Sequence, residues 1–205
     1  ALLTPVAKAW STDIGCEVAS IGVQVHGGMG FIEETGAAQY YRDARILPIY
    51  EGTNGIHAID LVTRKLPLEG GGTVKAYIAD LGATVAEVQA ANAPEFGRMG
   101  ERLGEAMAAL VEATKWMGAN LTANPEAALA SAPPYLRLFG TVAGGVYLAR
   151  GALAAARDGA NAPRNAIALA RFFAENVAVT APGLAAAVTS GADSVTGVAA
   201  DRLAS

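Results

Sequence analysis

The stretch Ile49-Tyr50-Glu51-Gly52-Thr53-Asn54-Gly55-Ile56 places one carboxylate between a proline-led turn and the start of a helix. Pro48 disfavours helical backbone at Leu47, so we expect the preceding helix to end there and the turn to be extended. The apolar residues that follow recur at steps of three and four, which predicts a helix: Ile56, Ile59, Val62 and Leu66. Thr53 is placed to cap this helix.

Glu51 therefore lies just ahead of a helix N-terminus, where backbone N–H groups lack helical partners and the dipole favours negative charge. Two interpretations follow. Glu51 is either a charge stabilised by the dipole, or a proton-abstracting base beside donors that hold an oxyanion. Acidic residues are common near helix starts, so the octapeptide alone favours the first interpretation.

Two further motifs precede the octapeptide: Gln24-Val25-His26-Gly27-Gly28-Met29-Gly30-Phe31 and Tyr41-Arg42-Asp43-Ala44-Arg45-Ile46. With Ile49 to Thr53, this ordered set closely resembles the end of the catalytic helical domain of the acyl-CoA dehydrogenases. The resemblance covers roughly residues 1 to 66. A lone glycine pair or a lone Tyr-Glu-Gly-Thr is weakly specific, whereas the ordered set is strongly specific.

The resemblance implies a flavin-dependent enzyme that α,β-desaturates an acyl-CoA thioester. It implies that Glu51 is the catalytic base and that its backbone N–H helps to hold the thioester carbonyl. Gly52 is implied as a substrate contact, and it offers no side chain to obstruct an acyl chain. FAD is the implied cofactor of the intact enzyme, while this chain alone is expected to lack it and to be inactive.

The resemblance also implies which residues contact FAD. Gln24, Val25, His26, Gly27 and Gly28 match the segment that contacts its adenosine end across a subunit interface, and Thr53, Asn54 and Gly55 match the segment after the base. Without the family, Gln24 to Gly28 is interpreted as a turn that ends a helix. The implied partners are an acyl-CoA substrate, other copies of the chain in a homo-oligomer, and electron-transfer flavoprotein or a similar acceptor.

Composition excludes other classes of function. The 205 residues are 52% hydrophobic and 17% charged, with a mean hydropathy of +0.30. The net charge is −4, and the sequence has no basic stripe that could bind nucleic acid. The most apolar run, residues 142–156, is short and contains Arg150, so we expect no membrane insertion. The single cysteine, Cys16, is expected to be an inert buried thiol, and it fits a cytoplasmic, reducing compartment.

Almost the whole chain is predicted to be helical. Residues 3 to 25 form a first helix, striped by Val6, Trp10, Ile14, Val18, Ile21 and Val25. The glycine-rich run from Gly27 to Gly30 should break it, and Thr35 should cap a helix from about Gly36 to Ile46. The helix after Glu51 should end near Leu66, and the glycine-rich residues 67–73 form a predicted linker between two domains.

Residues 74–205 are predicted to form a bundle of four striped helices. The stripes are Val74, Tyr77, Ile78, Leu81, Val85 and Val88; Met99, Leu103, Met107, Leu110, Thr114 and Met117; Tyr135, Leu138, Phe139, Val142, Val146 and Leu153; and Ile167, Leu169, Phe172, Phe173 and Val177. We expect the core to include Leu81, Leu103, Phe139 and Phe172. This region resembles the C-terminal helical extension of some bacterial acyl-CoA dehydrogenases, including those similar to 3-methylmercaptopropionyl-CoA dehydrogenase.

Other charged groups are expected to be structural. Asp43 can pair with Arg42 or Arg45 at the end of its helix. Neither His26 nor His57 has the neighbours of a metal ligand, so no metal site is predicted.

The sequence thus predicts an all-α chain: the end of the acyl-CoA dehydrogenase catalytic helical domain, followed by an appended helical bundle. The chain begins at Ala1 inside a predicted helix, so we expect a fragment of a longer enzyme. The alternative is a non-enzymatic helical module for interaction or oligomerisation. A buried Glu51 beside a void of flavin width favours the enzyme, whereas a fully solvated Glu51 on a continuous surface helix favours the module.

Overall fold

The computed structural model describes residues 1–91, 93–158, 165–199 and 202, and these residues form helices and turns without a strand. The first helices are α1 (Thr4–Val25), α2 (Gly28–Phe31), α3 (Ala37–Ile46) and α4 (Asn54–Asp60), the last continuing as a π-helical turn, Leu61–Lys65. The following helices are α5 (Gly72–Ala91), α6 (Met99–Ala123), α7 (Pro125–Ala130), α8 (Ala132–Asp158), α9 (Ala166–Asn176), α10 (Ala181–Ser190) and α11 (Ala192–Thr196). The all-α prediction is confirmed.

The glycine-rich run ends α1 as predicted. Gly27 has φ 61° and ψ −144°, a backbone conformation that a side chain strongly disfavours. The run does not stay open, however, because the chain resumes as α2 directly at Gly28. The break therefore comprises two residues, His26 and Gly27.

Thr35 does not cap α3, so that prediction is wrong. Its hydroxyl instead donates to the carbonyl oxygens of Met29 at 2.5 Å and Ile32 at 3.2 Å. Gly36 takes the N-cap position with φ 78°, and it has no side chain to contribute a hydrogen bond. The hydroxyl is used by the preceding turn and is not available to the helix.

The turn ahead of Glu51 is also different from the prediction. Leu47 keeps helical backbone angles, φ −59° and ψ −39°, although Pro48 follows it. Its N–H donates to the carbonyl of Ala44 at 3.1 Å, and the N–H groups of Ile49 and Tyr50 both reach the carbonyl of Ile46. These bonds outweigh the proline preference, so the chain leaves α3 through tight turns rather than an extended segment.

The bundle core lies between α5, α6 and α8. Its largest fully buried side chains come from the predicted stripes of these helices: Leu81, Met99, Leu103, Leu110, Met117, Tyr135, Leu138, Phe139, Val142 and Val146. Helix α8 is central, since it packs against α1, α4, α5, α6, α9 and α10. Three of the four predicted core residues, Leu81, Leu103 and Phe139, are confirmed.

Phe172 is not a core residue. Its side chain is 59% exposed and that of Leu169 is 51% exposed, because α9 packs through Ala170 and Ala174 instead. Small residues let α9 approach α8 closely, while Phe172 and Leu169 face outward and the Phe173 ring packs against Gly145 of α8. Helix α10, which the sequence analysis missed, completes the bundle against α6 and α8.

The predicted linker is a compact turn. Leu68–Gly71 forms a 3₁₀ turn in which Glu69 has left-handed angles, φ 53° and ψ 40°. Buried residues on both sides of it, including Leu61, Leu66 and Val74, belong to one hydrophobic cluster. The two predicted domains therefore share a core, and the division at residues 67–73 stays a prediction.

Polar contacts join α5, α6 and α8 around this core. The Tyr77 hydroxyl donates to Tyr147 at 3.4 Å, and burial, reinforced by this bond, raises the pKa of Tyr77. Arg150 bonds the Thr84 hydroxyl at 2.9 Å and pairs with Asp80 at 2.5 Å. These groups tie α5 to α8 along the edge of the apolar core.

A deeper hydroxyl lies between α6 and α8. Tyr135 is buried and forms a hydrogen bond with Thr114 at 2.9 Å between the two hydroxyls. Burial raises the pKa of Tyr135, so the phenol stays protonated in the folded chain.

Within the part of the chain that the structure describes, two helical stretches are long and apolar enough to cross a membrane by length and composition: α8 and residues 166–190. The run from 142 to 156 is therefore part of a longer helix than the sequence analysis allowed. Within α8, 67% of the most apolar window is buried inside the protein, which is typical of the core helix of a bundle.

Trp10 joins α1 to the bundle. Its indole lies against Gly140 and Gly144 of α8, and its N–H donates to the Thr141 hydroxyl at 3.3 Å. A Cβ added at position 140 would overlap both the Trp10 ring and the Trp10 Cβ. The Trp10 Cβ cannot move aside without a shift of the backbone. The contact thus depends on the absence of a side chain at Gly140.

Gly140→Ala is expected to lower the free energy of unfolding by about 1–3 kcal/mol, the usual cost of overpacking. Gly118→Ala in α6 is the matched control, because an added Cβ there meets no atom within 4 Å. The control should be neutral or up to about 1 kcal/mol more stable, since alanine favours helix. Urea denaturation measures both, and equal stability of the two variants would contradict the Trp10 contact.

Candidate functional site

Glu51 lies on a strained turn between α3 and α4. It has φ 54° and is followed by Gly52 at φ 87°. Left-handed backbone is uncommon for a residue with a side chain, and such strain often accompanies function. The Glu51 side chain is exposed, but it projects from a turn and not from a continuous surface helix. Glu51 is therefore neither buried beside a void of flavin width nor placed on a continuous surface helix.

Two side chains fix this turn. The Lys8 ammonium donates to the carbonyl of Gly52 at 2.7 Å and to the Asn54 side-chain oxygen at 2.8 Å. The His57 Nε2 atom lies 3.1 Å from the carbonyl oxygen of Glu51. The peptide after Glu51 is thus held from α1 on one side and from α4 on the other.

Asn54 fastens the start of α4 to α1. Its side-chain N–H₂ group donates to Asp13 at 2.7 Å, to the carbonyl of Ala9 at 3.0 Å and to the Thr12 hydroxyl at 3.0 Å. Its backbone N–H donates to the carbonyl of Pro48 at 3.1 Å. The Asn54 amide is therefore engaged within the chain, where it fixes the turn.

Thr53 occupies the N-cap position of α4 with φ −62° and ψ 156°. Its carbonyl accepts the first helical hydrogen bond, from the N–H of His57 at 3.1 Å, but its side chain makes no capping bond. The predicted position is correct and the predicted hydroxyl cap is wrong. The Thr53 residue is exposed, as is Gly55.

Glu51 borders a shallow depression of about 390 Å³. Its other lining residues are Gly52, Ile56, His57, Ile59, Asp60, Thr63, Arg64 and Lys65. Asp60 lies 3.3 Å from both Arg64 and Lys65, which balances its charge. The π-helical turn, closed by a 2.9 Å bond from the N–H of Leu66 to the carbonyl of Leu61, brings these two cations to the same wall.

Gln24 to Gly28 lie at the exposed end of α1. The Gln24 carbonyl accepts from the N–H of Gly27 at 3.0 Å, and the His26 ring lies 2.9 Å from the carbonyl of Gly22. Val25 is 78% exposed. The segment presents a bare glycine backbone and the Gln24 side chain outward.

The structure brings Glu51 together with Gly52, Thr53, Asn54 and Gly55, but not with Gln24 to Gly28. The Glu51 turn is tied to α1 at Lys8, Thr12 and Asp13. Gln24 lies eleven to sixteen residues further along that helix, a rise of roughly 17–24 Å. The two predicted FAD segments are thus separate surfaces, one at the C-terminal end of α1 and one at the start of α4.

Large apolar side chains are exposed across the first helices and around Glu51: Val18, Ile21, Val25, Met29, Phe31, Tyr40, Tyr41, Ile46, Ile49, Tyr50, Ile56 and Ile59. The second half of the predicted α1 stripe faces outward with them. Exposed apolar surface of this extent marks an interaction or binding surface. Helical spacing identified the stripe correctly, but it could not show what covers it.

The charged cluster near the end of α3 is arranged differently from the prediction. Arg42 bonds the Gln39 side chain at 2.7 Å and lies 3.5 Å from Glu33. Asp43 accepts from Gln39 at 2.6 Å. Gln39 thus links Arg42 to Asp43 in place of the direct ion pair that was expected.

Lys8 and His57 are the site residues that sequence analysis missed. Lys8 interrupts an apolar run, and its contact with Gly52 spans 44 residues of chain. His57 is one turn into α4, a spacing that returns it toward the residue before the helix. That spacing was the one available signal for His57.

Cys16 makes a weak bond from its thiol to the carbonyl of Ala44 at 3.2 Å, so it helps to pack α1 on α3. Within the part of the chain that the structure describes, no group of three or more His, Cys, Asp or Glu side chains is placed to hold a metal ion.

Two family models match the chain. Residues 2–66 match the C-terminal domain of acyl-CoA dehydrogenases, and residues 74–199 match a model described as acetyl-CoA dehydrogenase C-terminal like. The chain belongs to the acyl-CoA dehydrogenase family. Enzymes of this family use FAD.

Relatives agree with this membership. The chain is 42% identical over 198 residues to 3-methylmercaptopropionyl-CoA dehydrogenase of Ruegeria pomeroyi, covering 94% of the chain and 34% of that protein. It is 34% identical to a butyryl-CoA dehydrogenase of Syntrophomonas wolfei over 51% of the chain and 17% of that relative. It is 41% identical to the caffeyl-CoA reductase-Etf complex subunit CarC of Acetobacterium woodii over 25% of the chain and 14% of the relative. The chain thus spans about a third or less of the length of these relatives.

Proposed function

We propose that this chain is the C-terminal part of a FAD-dependent acyl-CoA dehydrogenase that α,β-desaturates an acyl-CoA thioester, with Glu51 as the catalytic base. The observation that carries the proposal is the left-handed turn at Glu51, held by Lys8 through the carbonyl of Gly52. The turn is strained, and contacts from α1 and α4 hold its backbone in place. Such a turn places one carboxylate at a fixed position in the chain, which proton abstraction requires.

The chemistry assigns each residue a task. The C–H bond at the thioester α-carbon breaks, and its proton passes to the Glu51 carboxylate. FAD, when bound, supplies the acceptor for the hydride that leaves the β-carbon. Gly52 leaves room for the acyl chain, and the backbone at Glu51 contributes to holding the thioester carbonyl.

The residues proposed to hold FAD are Gln24 to Gly28 at the C-terminal end of α1 and Thr53 to Gly55 at the start of α4. The first segment offers an exposed amide side chain and an accessible glycine backbone, which suit a pyrophosphate or adenosine group. Because Gln24 lies roughly 17–24 Å along α1 from the residues that hold the second segment, we assign the first segment to a FAD held by another subunit, which requires a homo-oligomer.

Several surfaces support a larger assembly. The exposed apolar residues of α1 to α3 suit burial by other parts of the enzyme, including a neighbouring subunit. One relative is named as a subunit of a complex with Etf. We therefore propose electron-transfer flavoprotein or a similar acceptor as the redox partner, and a role for the bundle in supporting α1 through Trp10.

The second candidate is a non-enzymatic module for interaction or oligomerisation. The exposure of Glu51 and of the surrounding apolar residues favours it. The two candidates differ in the intact protein. If it purifies with FAD and the flavin bleaches anaerobically on addition of acyl-CoA, the enzyme is supported, and a colourless, inert protein would support the module.

The isolated chain of 205 residues is expected to bind FAD well below one per chain. The reason is that its two proposed FAD segments are separate surfaces, and neither forms an enclosed pocket. The measurement is the flavin absorbance of the purified chain after incubation with FAD and gel filtration. A yellow preparation with about one FAD per chain would contradict this expectation.

A further inference from the structure

An apolar groove lies between residues 66–71, α5 and α6. It has a volume of about 590 Å³, within the range of small-molecule sites, and shares no lining residue with the Glu51 depression. Its apolar lining includes Leu66, Val74, Ile78 and Val111. Gly70, Gly71 and Gly118 also line the groove, and their lack of side chains keeps it open.

Two cations line the same groove. Among the described residues, the charged ones that line it are Lys75 and Lys115, and none of its described lining residues is acidic. Both are exposed, and within the described ranges neither ammonium group has an ion-pair or hydrogen-bond partner. The other two lysines of the chain are both engaged, Lys8 with Gly52 and Lys65 with Asp60.

We propose that this groove binds a free acyl carboxylate of medium chain length. The apolar lining would bury the hydrocarbon, which is favoured in proportion to the area removed from water. Lys75 and Lys115 would pair with the carboxylate at the rim. This site is separate from the proposed catalytic site, so the test of the groove does not depend on the role of Glu51.

The first experiment is a ligand titration of the ¹⁵N-labelled chain, followed by NMR. Octanoate should shift amide signals of the residues that line the groove on α5 and α6. Butyrate should bind far more weakly, because each buried methylene contributes up to about fourfold in affinity. Octanol should bind at least about fivefold more weakly than octanoate, and added salt should weaken octanoate alone.

The second experiment closes the groove without disturbing the fold. Gly118 lies inside α6, and a Cβ there meets no atom within 4 Å, so Gly118→Leu should fold normally and place its side chain in the groove. We expect octanoate affinity to fall at least about tenfold. Gly151→Leu in α8 is the matched control, since that glycine is equally uncrowded and does not line the groove.

The third experiment tests the cations. The double variant Lys75→Gln, Lys115→Gln should lose about fivefold or more in octanoate affinity and none in octanol affinity. The control, Arg42→Gln with Arg45→Gln, removes the same charge from α3 and should bind octanoate as the wild type does.

Three outcomes would overturn the proposal. Unchanged octanoate binding by Gly118→Leu would exclude the groove, as would shifts confined to the exposed apolar residues of α1 to α3. A concentration-dependent dimer that Gly118→Leu abolishes would identify a second copy as the occupant. Sedimentation with phosphatidylglycerol vesicles, without octanoate binding, would identify a lipid surface.

Discussion

Glu51→Gln in the intact enzyme is expected to slow the reduction of its flavin by acyl-CoA by at least about 10²-fold, the lower end of general-base catalysis. Glutamine keeps the size and polarity of the side chain but has no carboxylate to accept the proton. FAD content and acyl-CoA binding should remain roughly unchanged. The measurement is anaerobic stopped-flow bleaching of the flavin, with bound substrate confirmed separately.

The geometry of the turn allows the rate loss to be assigned to the missing carboxylate. Lys8 contacts the carbonyl of Gly52 and His57 contacts the carbonyl of Glu51. These backbone contacts do not involve the Glu51 side chain, so the substituted side chain should project from the same backbone position. A rate loss then reports the missing base and not a displaced loop. The proposed substrate and flavin would also exclude water from a carboxylate that is exposed in this chain.

Glu69→Gln is the matched control for this experiment. Glu69 is also exposed and also has left-handed backbone, φ 53°, so the substitution makes the same chemical change on a similar turn. Glu69 lies outside the Glu51 depression, and its variant should reduce flavin at the wild-type rate. Near-wild-type bleaching by Glu51→Gln with substrate bound would place the base on another residue.

The sequence predicted the helices well because apolar spacing is a local signal. The stripes of α5, α6 and α8 were identified residue by residue, and these side chains are buried except for Tyr77, Ile78 and Thr114, which are partly exposed. The pattern failed where small residues form the contact. Helix α9 packs through Ala170 and Ala174, while Phe172 faces outward, and the alanine-rich α10 has no clear stripe.

The sequence predicted which residue types form the candidate site, but not which side chains hold the turn in place. The order of the motifs led to Glu51 and Gly52, whereas the contact from Lys8 to Gly52 joins residues far apart in the chain. Local preferences were also overridden near the site. Leu47 stays helical before Pro48, and the Thr53 hydroxyl leaves α4 uncapped, because backbone hydrogen bonds already satisfy these turns.

Leu103→Ala is expected to lower the free energy of unfolding of the chain by about 2–5 kcal/mol. Leu103 is 0% exposed, and its side chain lies where α6 meets Gly145 of α8. Removing its methyl groups loses their burial and leaves a cavity that surrounding helices fill only in part.

Leu169→Ala provides the matched control, because it makes the same change inside a helix at a residue that is 51% exposed. The two substitutions alter helix propensity equally, so the difference between them measures burial in the core. We expect the control to stay within about 0.5 kcal/mol of the wild type in urea denaturation. If Leu103→Ala also stayed within that range, the face of α6 that carries the core would have been misassigned. A large loss for Leu103 alone would mean that the contact between α6 and α8 stabilises the bundle, while the exposed side chain of Leu169 does not.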